Sequence, residues 1–405
     1  MKQNAILACA AIFIIAVTSA AFADSGGRLY GKLTTVGGDV YTGLIRWDKN
    51  EASWSDILNG TKDLHRSHPS DRHHEKIVVF GITIGDRWNV GNASSVQSGL
   101  CFGHIKTIEP LRGDAVRLTL KSGERIRLEG GSTDIGDESR GIVIEDSKEG
   151  EIEFDWDEVE RVELSQGPAG LTSTFGERLY GTMTTQRGDK YTGWVSWDAD
   201  ELFTNDVLDG EYKDHTRKIA FGKIKSIERR SSNGAVLTLA NGERIVLRGT
   251  NDVDDSNHGV AVYDPAIGQI TADWDEFEKL ELKAPPVSVA YDRFDGGRRL
   301  EGTVYTDDGE KHTGAIRWDD DEEFTWEILD GEYRDIAFDI EFGNIKEIKP
   351  VGFHAATVKL RDGRSFKLRG SNDVDDDNNG IFVKTSGGKE IEIEWGEVAR
   401  VEFAR

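Results

Sequence analysis

The stretch Phe221-Gly222-Lys223-Ile224-Lys225-Ser226-Ile227 decides how this chain is read. An aromatic residue is followed three and six positions later by aliphatics. The same beat closes five other stretches: Phe102-Ile105-Ile108, Trp156-Val159-Val162, Trp274-Phe277-Leu280, Phe342-Ile345-Ile348 and Trp395-Val398-Val401. Only Phe277 puts an aromatic where the others have an aliphatic. A pattern that returns at this interval marks a repeat protein. Most conspicuous residues then recur because each unit needs them for its core, which removes them from the pool of candidate active-site residues.

Working outward from the beats gives three modules. They open on Arg28-Leu29-Tyr30-Gly31, Arg178-Leu179-Tyr180-Gly181 and Arg299-Leu300-Glu301-Gly302. A Trp-Asp pair follows in each, at Trp47-Asp48, Trp197-Asp198 and Trp318-Asp319. Trp156, Trp274 and Trp395 lie 118 and 121 residues apart, but Trp47 and Trp197 lie 150 apart. Module 1 therefore carries about 31 extra residues between Trp47 and Phe102. The expected divisions are a signal peptide at 1–23, module 1 at 24–166 with an insertion at about 61–101, module 2 at 167–287 and module 3 at 288–405. Segments 165–175 and 283–296, with Gly167-Pro168 and Pro285-Pro286, read as linkers.

Within a module the beat recurs after 53 or 54 residues, so each module reads as two related half-units. Alternating runs such as Leu179 to Thr185 and Lys190 to Trp197, separated by Gly188-Asp189, are hairpin signals. Asp200 to Leu208 and Asp320 to Leu329 read instead as short helices, with acidic first turns and a glycine stop at Gly210 or Gly331. The expected fold is all-β, with three tandem modules of two small-barrel half-units and a short helix in the first half. In strand number and Asp-Gly or Asn-Gly hairpins the half-units resemble Src-homology-3-like or Sm-like barrels. That resemblance is architectural and implies no function. A six-bladed β-propeller is the competing architecture.

Lys2, the apolar run from Ala5 to Val17 and Ala21-Phe22-Ala23 compose a cleavable signal peptide, so a periplasmic or secreted location is expected. Residues 24–405 carry 49 Lys+Arg against 74 Asp+Glu, a net charge of about −25. Such a field disfavours nucleic acid and anionic membrane surfaces. It suits cationic partners and divalent metals. Cys101 is the only thiol after residue 23, so no intrachain disulfide can form there, and Cys101 reads as a small buried hydrophobe.

Three groups of residues carry candidate chemistry. Acidic loops place Asp252, Asp254, Asp255 and Asn257 in module 2, and Asp373, Asp375, Asp377 and Asn379 in module 3, where their oxygens suit calcium. The module 3 loop starts like a calcium-binding loop but has Ser386 where the closing glutamate belongs. His65, His68, His73 and His74 in the insertion are candidate transition-metal ligands, although Pro69 argues against a continuous helix. Six tryptophans at repeat-equivalent positions read as core. Trp54, Trp88, Trp194 and Trp326, not shared by all three modules, are candidates for an exposed binding surface.

No nucleophile elbow, phosphate loop or dinucleotide fingerprint occurs. The leading functional expectation is a non-catalytic binding or scaffolding protein of the cell envelope with a protein or glycan partner. The alternatives are a calcium-dependent version using the acidic loops, and a hydrolase with its site near the module 1 insertion.

Overall fold

The computed structural model describes residues 27–63, 73–79, 82–89, 95–213, 215–286 and 289–405. The fold is all-β, and its sheet pairings are antiparallel. Among the described residues the only helical elements are three-residue 3-10 turns, and no helix is long and apolar enough to cross a membrane.

The beat explains the local geometry. Residues three apart on a regular strand face opposite sides. Here Phe221–Lys223 forms a 3-10 turn that runs straight into the strand Ile224–Ser231. The pairing with Gly234–Leu239 then slips between Ile224 and Ser226. This bulge adds one residue and returns both Ile224 and Ile227 to the core face. The same slip occurs between Ile105 and Thr107 and between Ile345 and Glu347.

One strand order occurs three times. In the middle of the chain it runs Arg244–Leu247, Gly234–Leu239, Ile224–Ser231, Phe277–Leu282, Tyr180–Thr185, Lys190–Trp197, Val260–Asp264, Gly268–Ala272. The sequence halves are not separate pairing units. Tyr180–Thr185 pairs with Phe277–Leu282, and Lys190–Trp197 pairs with Val260–Asp264, so strands of the first half sit between strands of the second. The hairpin Val207–Tyr212 with His215–Ala220 joins the other end through an isolated bridge from Glu211 to Arg248. Val207 to Leu247 thus forms a contiguous five-strand group, inserted into a second group assembled from both ends of the module.

The expected helices at Asp200–Leu208 and Asp320–Leu329 are absent. The chain reverses through two consecutive left-handed residues, Asp198 (φ 50°) and Ala199 (φ 67°), and likewise at Asp319 and Asp320. Acidic residues later in each segment cap the turn. Asp206 Oδ2 accepts the N–H groups of Leu202 and Phe203 at 2.7 and 2.9 Å, and Glu327 does the same for Glu323 and Phe324.

The module 1 insertion extends a hairpin that the other modules close tightly. Ile57–Asp63 pairs with Ser95–Cys101, as Val207–Tyr212 pairs with His215–Ala220. Beyond it, His73–Val79 and Ile82–Asn89 pair with each other in a separate two-stranded sheet.

The strand groups pack on one another. Gly268–Ala272 pairs with Ile336–Glu341, carrying one sheet across from the middle group to the last. The segment read as a linker before residue 297 crosses module 1. The Tyr291 hydroxyl donates to the Ile105 carbonyl at 2.7 Å, its ring lies 4.4 Å from that of Trp54, and Lys121 Nζ donates to the carbonyls of Tyr291 and Phe294. Phe294 lies so close to Gly103 that a Cβ there would come within 2.1 Å of its ring. Truncating Tyr291 to Ala should therefore cost about 3–5 kcal/mol and uncouple the last strand group from the first. Calorimetry should show one melting transition split into two; an unshifted single transition would refute the coupling.

Candidate functional site

Each module gathers three carboxylates beneath its Trp-Asp turn. In module 1 they are Asp48, Glu51 and Asp134, and in module 2 Asp198, Glu201 and Asp252, with one oxygen from each member of a triad lying within 4.8 Å of the others. Asp319, Glu322 and Asp373 hold the equivalent positions in module 3, all buried.

Three elements build the cluster. The two left-handed residues of the turn bring Glu51 back beside Trp47, which it pairs as a bridge. The indole N–H of Trp47 donates to the Asp134 carbonyl at 2.9 Å, pinning the acidic loop. Trp197 and Trp318 bind the carbonyls of Asp252 and Asp373 at 3.0 and 3.1 Å. Finally, the next strand donates a backbone N–H to the loop carboxylate, Asn59 to Asp134 at 2.7 Å, Asp209 to Asp252 at 2.6 Å and Asp330 to Asp373 at 2.9 Å.

The first carboxylate is well partnered. Asp48 accepts from Thr133 Oγ1 at 2.6 Å, the Arg140 N–H at 2.5 Å and the Arg140 guanidinium at 3.2 Å. Asp198 accepts from the His258 N–H, lies 2.9 Å from its Nδ1 and is bonded by Asn251. Asp319 is bonded by Asn372 and Asn379.

The other two are poorly compensated. Both oxygens of Glu51, Oδ1 of Asp134 and one oxygen each of Glu201 and Glu322 are buried without a hydrogen-bond partner. Two charges at such a separation repel by roughly 3.5 kcal/mol at an effective dielectric of ~20. Burial, then Asp134 and Asp48, pushes Glu51 well above the usual carboxylate range. Burial pushes Asp134 and Asp252 up to about 7, and burial with Asp200 and Asp252 pushes Glu201 up to about 11.

Of the loop residues chosen from sequence, Asp252 and Asp373 enter these clusters. Asn379 touches the module 3 cluster through Asp319, and the others bond within their loops or lie exposed. Asp254 and Asp375 accept N–H groups two residues on, Ser256 at 3.0 Å and Asp377 at 3.1 Å. Asn257 likewise accepts the Gly259 N–H, and Asn379 bonds Asp319. Asp255 and Asp377 are exposed. Glu51, Glu201 and Glu322 were missed, although Trp-Asp-x-x-Glu recurs intact in all three modules.

The tryptophan reading needs correction. Trp54, Trp194 and Trp326 are not exposed; they are 0, 7 and 2% accessible and belong to one core cluster with Tyr291 and Phe294. They differ between modules because each lies where strand groups pack together, and the contact differs at each place. The backbone of Trp88, His73 and His74 lies in the inserted hairpin, but their side chains, together with His65 and His68, fall outside the described residues.

A second feature lies where the strand groups meet. A cleft of about 350 Å³ is lined by Ile57, Lys62 and Val96–Gly99 of module 1, Gln269 of module 2, and module 3. Eight carboxylates line it, on Asp321, Glu322, Glu327, Asp330, Asp339, Asp373, Asp375 and Asp377, against the single ammonium of Lys62. Lys62 donates to Glu327 Oε1 and the Asp321 carbonyl, both at 2.5 Å. Burial lowers its pKa, but Glu327, Asp321 and Glu322 outweigh that and hold it protonated. Burial and the facing Asp330 push Asp339 up to about 7.

No known family, curated protein or solved structure matches the chain.

The raised carboxylates set a pH dependence for chelated protein. Their folded pKa values exceed the unfolded value of about 4, so their contribution is fully present below that pH and is lost as pH rises through the folded values. For Asp134 and Asp252 the window runs from about 4 to about 7. Melting temperature should fall across it, and fall less in the Asp134→Asn, Asp252→Asn double variant. Equal declines in both proteins would count against the assignment.

Proposed function

We propose that this chain is an exported, non-catalytic binding protein of the cell envelope, built as three tandem modules of small barrel-like units. Its partner is a protein that presents basic side chains to the acidic cleft between the modules. The observation that carries this reading is the lining of that cleft, eight acidic side chains around one ammonium. A concave anionic site of this size receives a lysine or arginine side chain, and the net charge of −24 steers cationic partners towards it. A neutral glycan would leave the carboxylates unpaired, which favours a protein partner. The apolar run from Ala5 to Val17 and the Ala21-Phe22-Ala23 step support export.

The cleft draws residues from all three modules, so it forms only when they are docked. This gives packing between modules a functional consequence. One observation favours a second reading, hydrolysis. Asp339, pushed up to about 7, faces Asp330 across paired strands, and a protonated carboxyl beside an ionised one can act as acid and base. The strands flanking the insertion line the same cleft.

Titration with an oligolysine peptide tests the binding reading. Wild-type protein should bind in a salt-sensitive manner, and Asp339→Asn with Asp377→Asn should weaken binding at least tenfold at about 0.1 M salt. Peptide affinity unchanged by these substitutions would reject the cleft as the site. Turnover of a glycoside or ester substrate lost in Asp339→Asn would instead establish the hydrolase.

A further inference from the structure

We propose that the triads Asp48–Glu51–Asp134 and Asp198–Glu201–Asp252 each hold one hard divalent cation, with calcium the best fit. The inference is independent of the cleft and its partner.

The geometry argues by subtraction. In each triad the first aspartate is already hydrogen-bonded, Asp48 by Thr133 and Arg140 and Asp198 by the His258 N–H and Asn251. Two carboxylates per triad remain, Glu51 with Asp134 and Glu201 with Asp252, which matches a charge of two. Glu51 supplies the observation that an acidic cluster alone would lack. It is fully buried, both its oxygens are without a partner, and it points at Asp134, whose Oδ1 is also without one. Buried acceptors with no donor in reach require something positive between them.

The donor set is all oxygen, which suits a hard cation over zinc or copper. A carboxylate with both oxygens free can bind calcium in bidentate fashion, and calcium tolerates irregular geometry that magnesium does not. Asn50 and Glu51 also line a cavity of about 20 Å³ that reaches the module 2 surface at His258 and Gly259. That volume holds about one water, which can add an oxygen ligand to those of the carboxylates.

Module 3 provides an internal comparison. There the Lys62 ammonium sits among Asp321 and Glu327, beside Glu322. Where a neighbouring module inserts its own positive charge, the need for a metal is reduced. The two proposed cations therefore belong to modules 1 and 2.

The test is calorimetric titration of the chelated full chain with calcium chloride, alongside melting curves. The expected result is two calcium equivalents per chain and a rise in melting temperature. Glu51→Gln should remove one equivalent and Glu201→Gln the other, while Asp254→Asn with Asp255→Asn in the exposed loop keeps both. Near-UV circular dichroism of each variant checks that its core is intact. If protons rather than cations fill the triads, calcium will not bind, and Glu51→Gln will melt at or above wild type with or without calcium. That outcome overturns the proposal, as does calcium binding that survives both glutamine variants or is lost in the loop variant.

Discussion

The structure depends on one side chain per module, the tryptophan of the Trp-Asp turn. Trp197 lies 6.3 Å from Phe221 and 6.2 Å from Trp274, the aromatics that open the two beats of its module. Trp47 stands in the same relation to Phe102 and Trp156, and Trp318 to Phe342 and Trp395. The indole thus joins the two halves of the module through its ring faces and edges. Its N–H also holds the acidic loop, because a buried indole N–H left unpaired would be costly. Core, turn and loop therefore share one anchor.

That anchor brings carboxylates together. The loop backbone must reach the indole, and the turn must reverse tightly to return a strand beside it. Both approaches bring acidic residues into the same enclosed space. A core under selection for packing alone would put apolar residues there, since buried charge is expensive without a counter-charge. The carboxylates stand there in every module, at Asp134, Asp252 and Asp373 on the loop and at Glu51, Glu201 and Glu322 after the turn. The residue before the loop glycine partners the turn aspartate in each module, as Arg140, His258 and Asn379, whereas the ammonium beside the third cluster, Lys62, comes from module 1.

The all-β class was legible because strand patterns and turn residues act locally. Turns were less legible. Asp200 and Asp320 open their segments as helix-starting acids do, and only the left-handed backbone at Asp198 and Asp319, with the caps from Asp206 and Glu327, shows that the chain reverses there instead. Strand partnership was legible for the hairpin of Tyr180–Thr185 with Lys190–Trp197 but not beyond it, since Tyr180–Thr185 also pairs with a strand nearly a hundred residues on. Burial of Trp54, Trp194 and Trp326 depends on contacts between modules, and a single sequence carries no direct signal of those. The triads were half visible. Asp252 and Asp373 stood out within acidic loops, whereas Glu51 was hidden by the assumption that a repeated residue serves packing only.

Exchange of strands between sequence halves also constrains how the chain can fold. In the middle module the contiguous block from Val207 to Leu247 makes local pairings, so it can close early. Tyr180–Thr185 and Lys190–Trp197 can pair with each other at once, but they lack their outer partners until Val260–Leu282 is in place. Until then Trp197 has Phe221 but not Trp274, and its indole N–H has no loop carbonyl to bind. Completion of the module and formation of the carboxylate cluster are consequently one event. A cation or a matched positive side chain that stabilises the cluster acts on the last long-range step, the closure of a sheet whose edges were waiting for the chain to return.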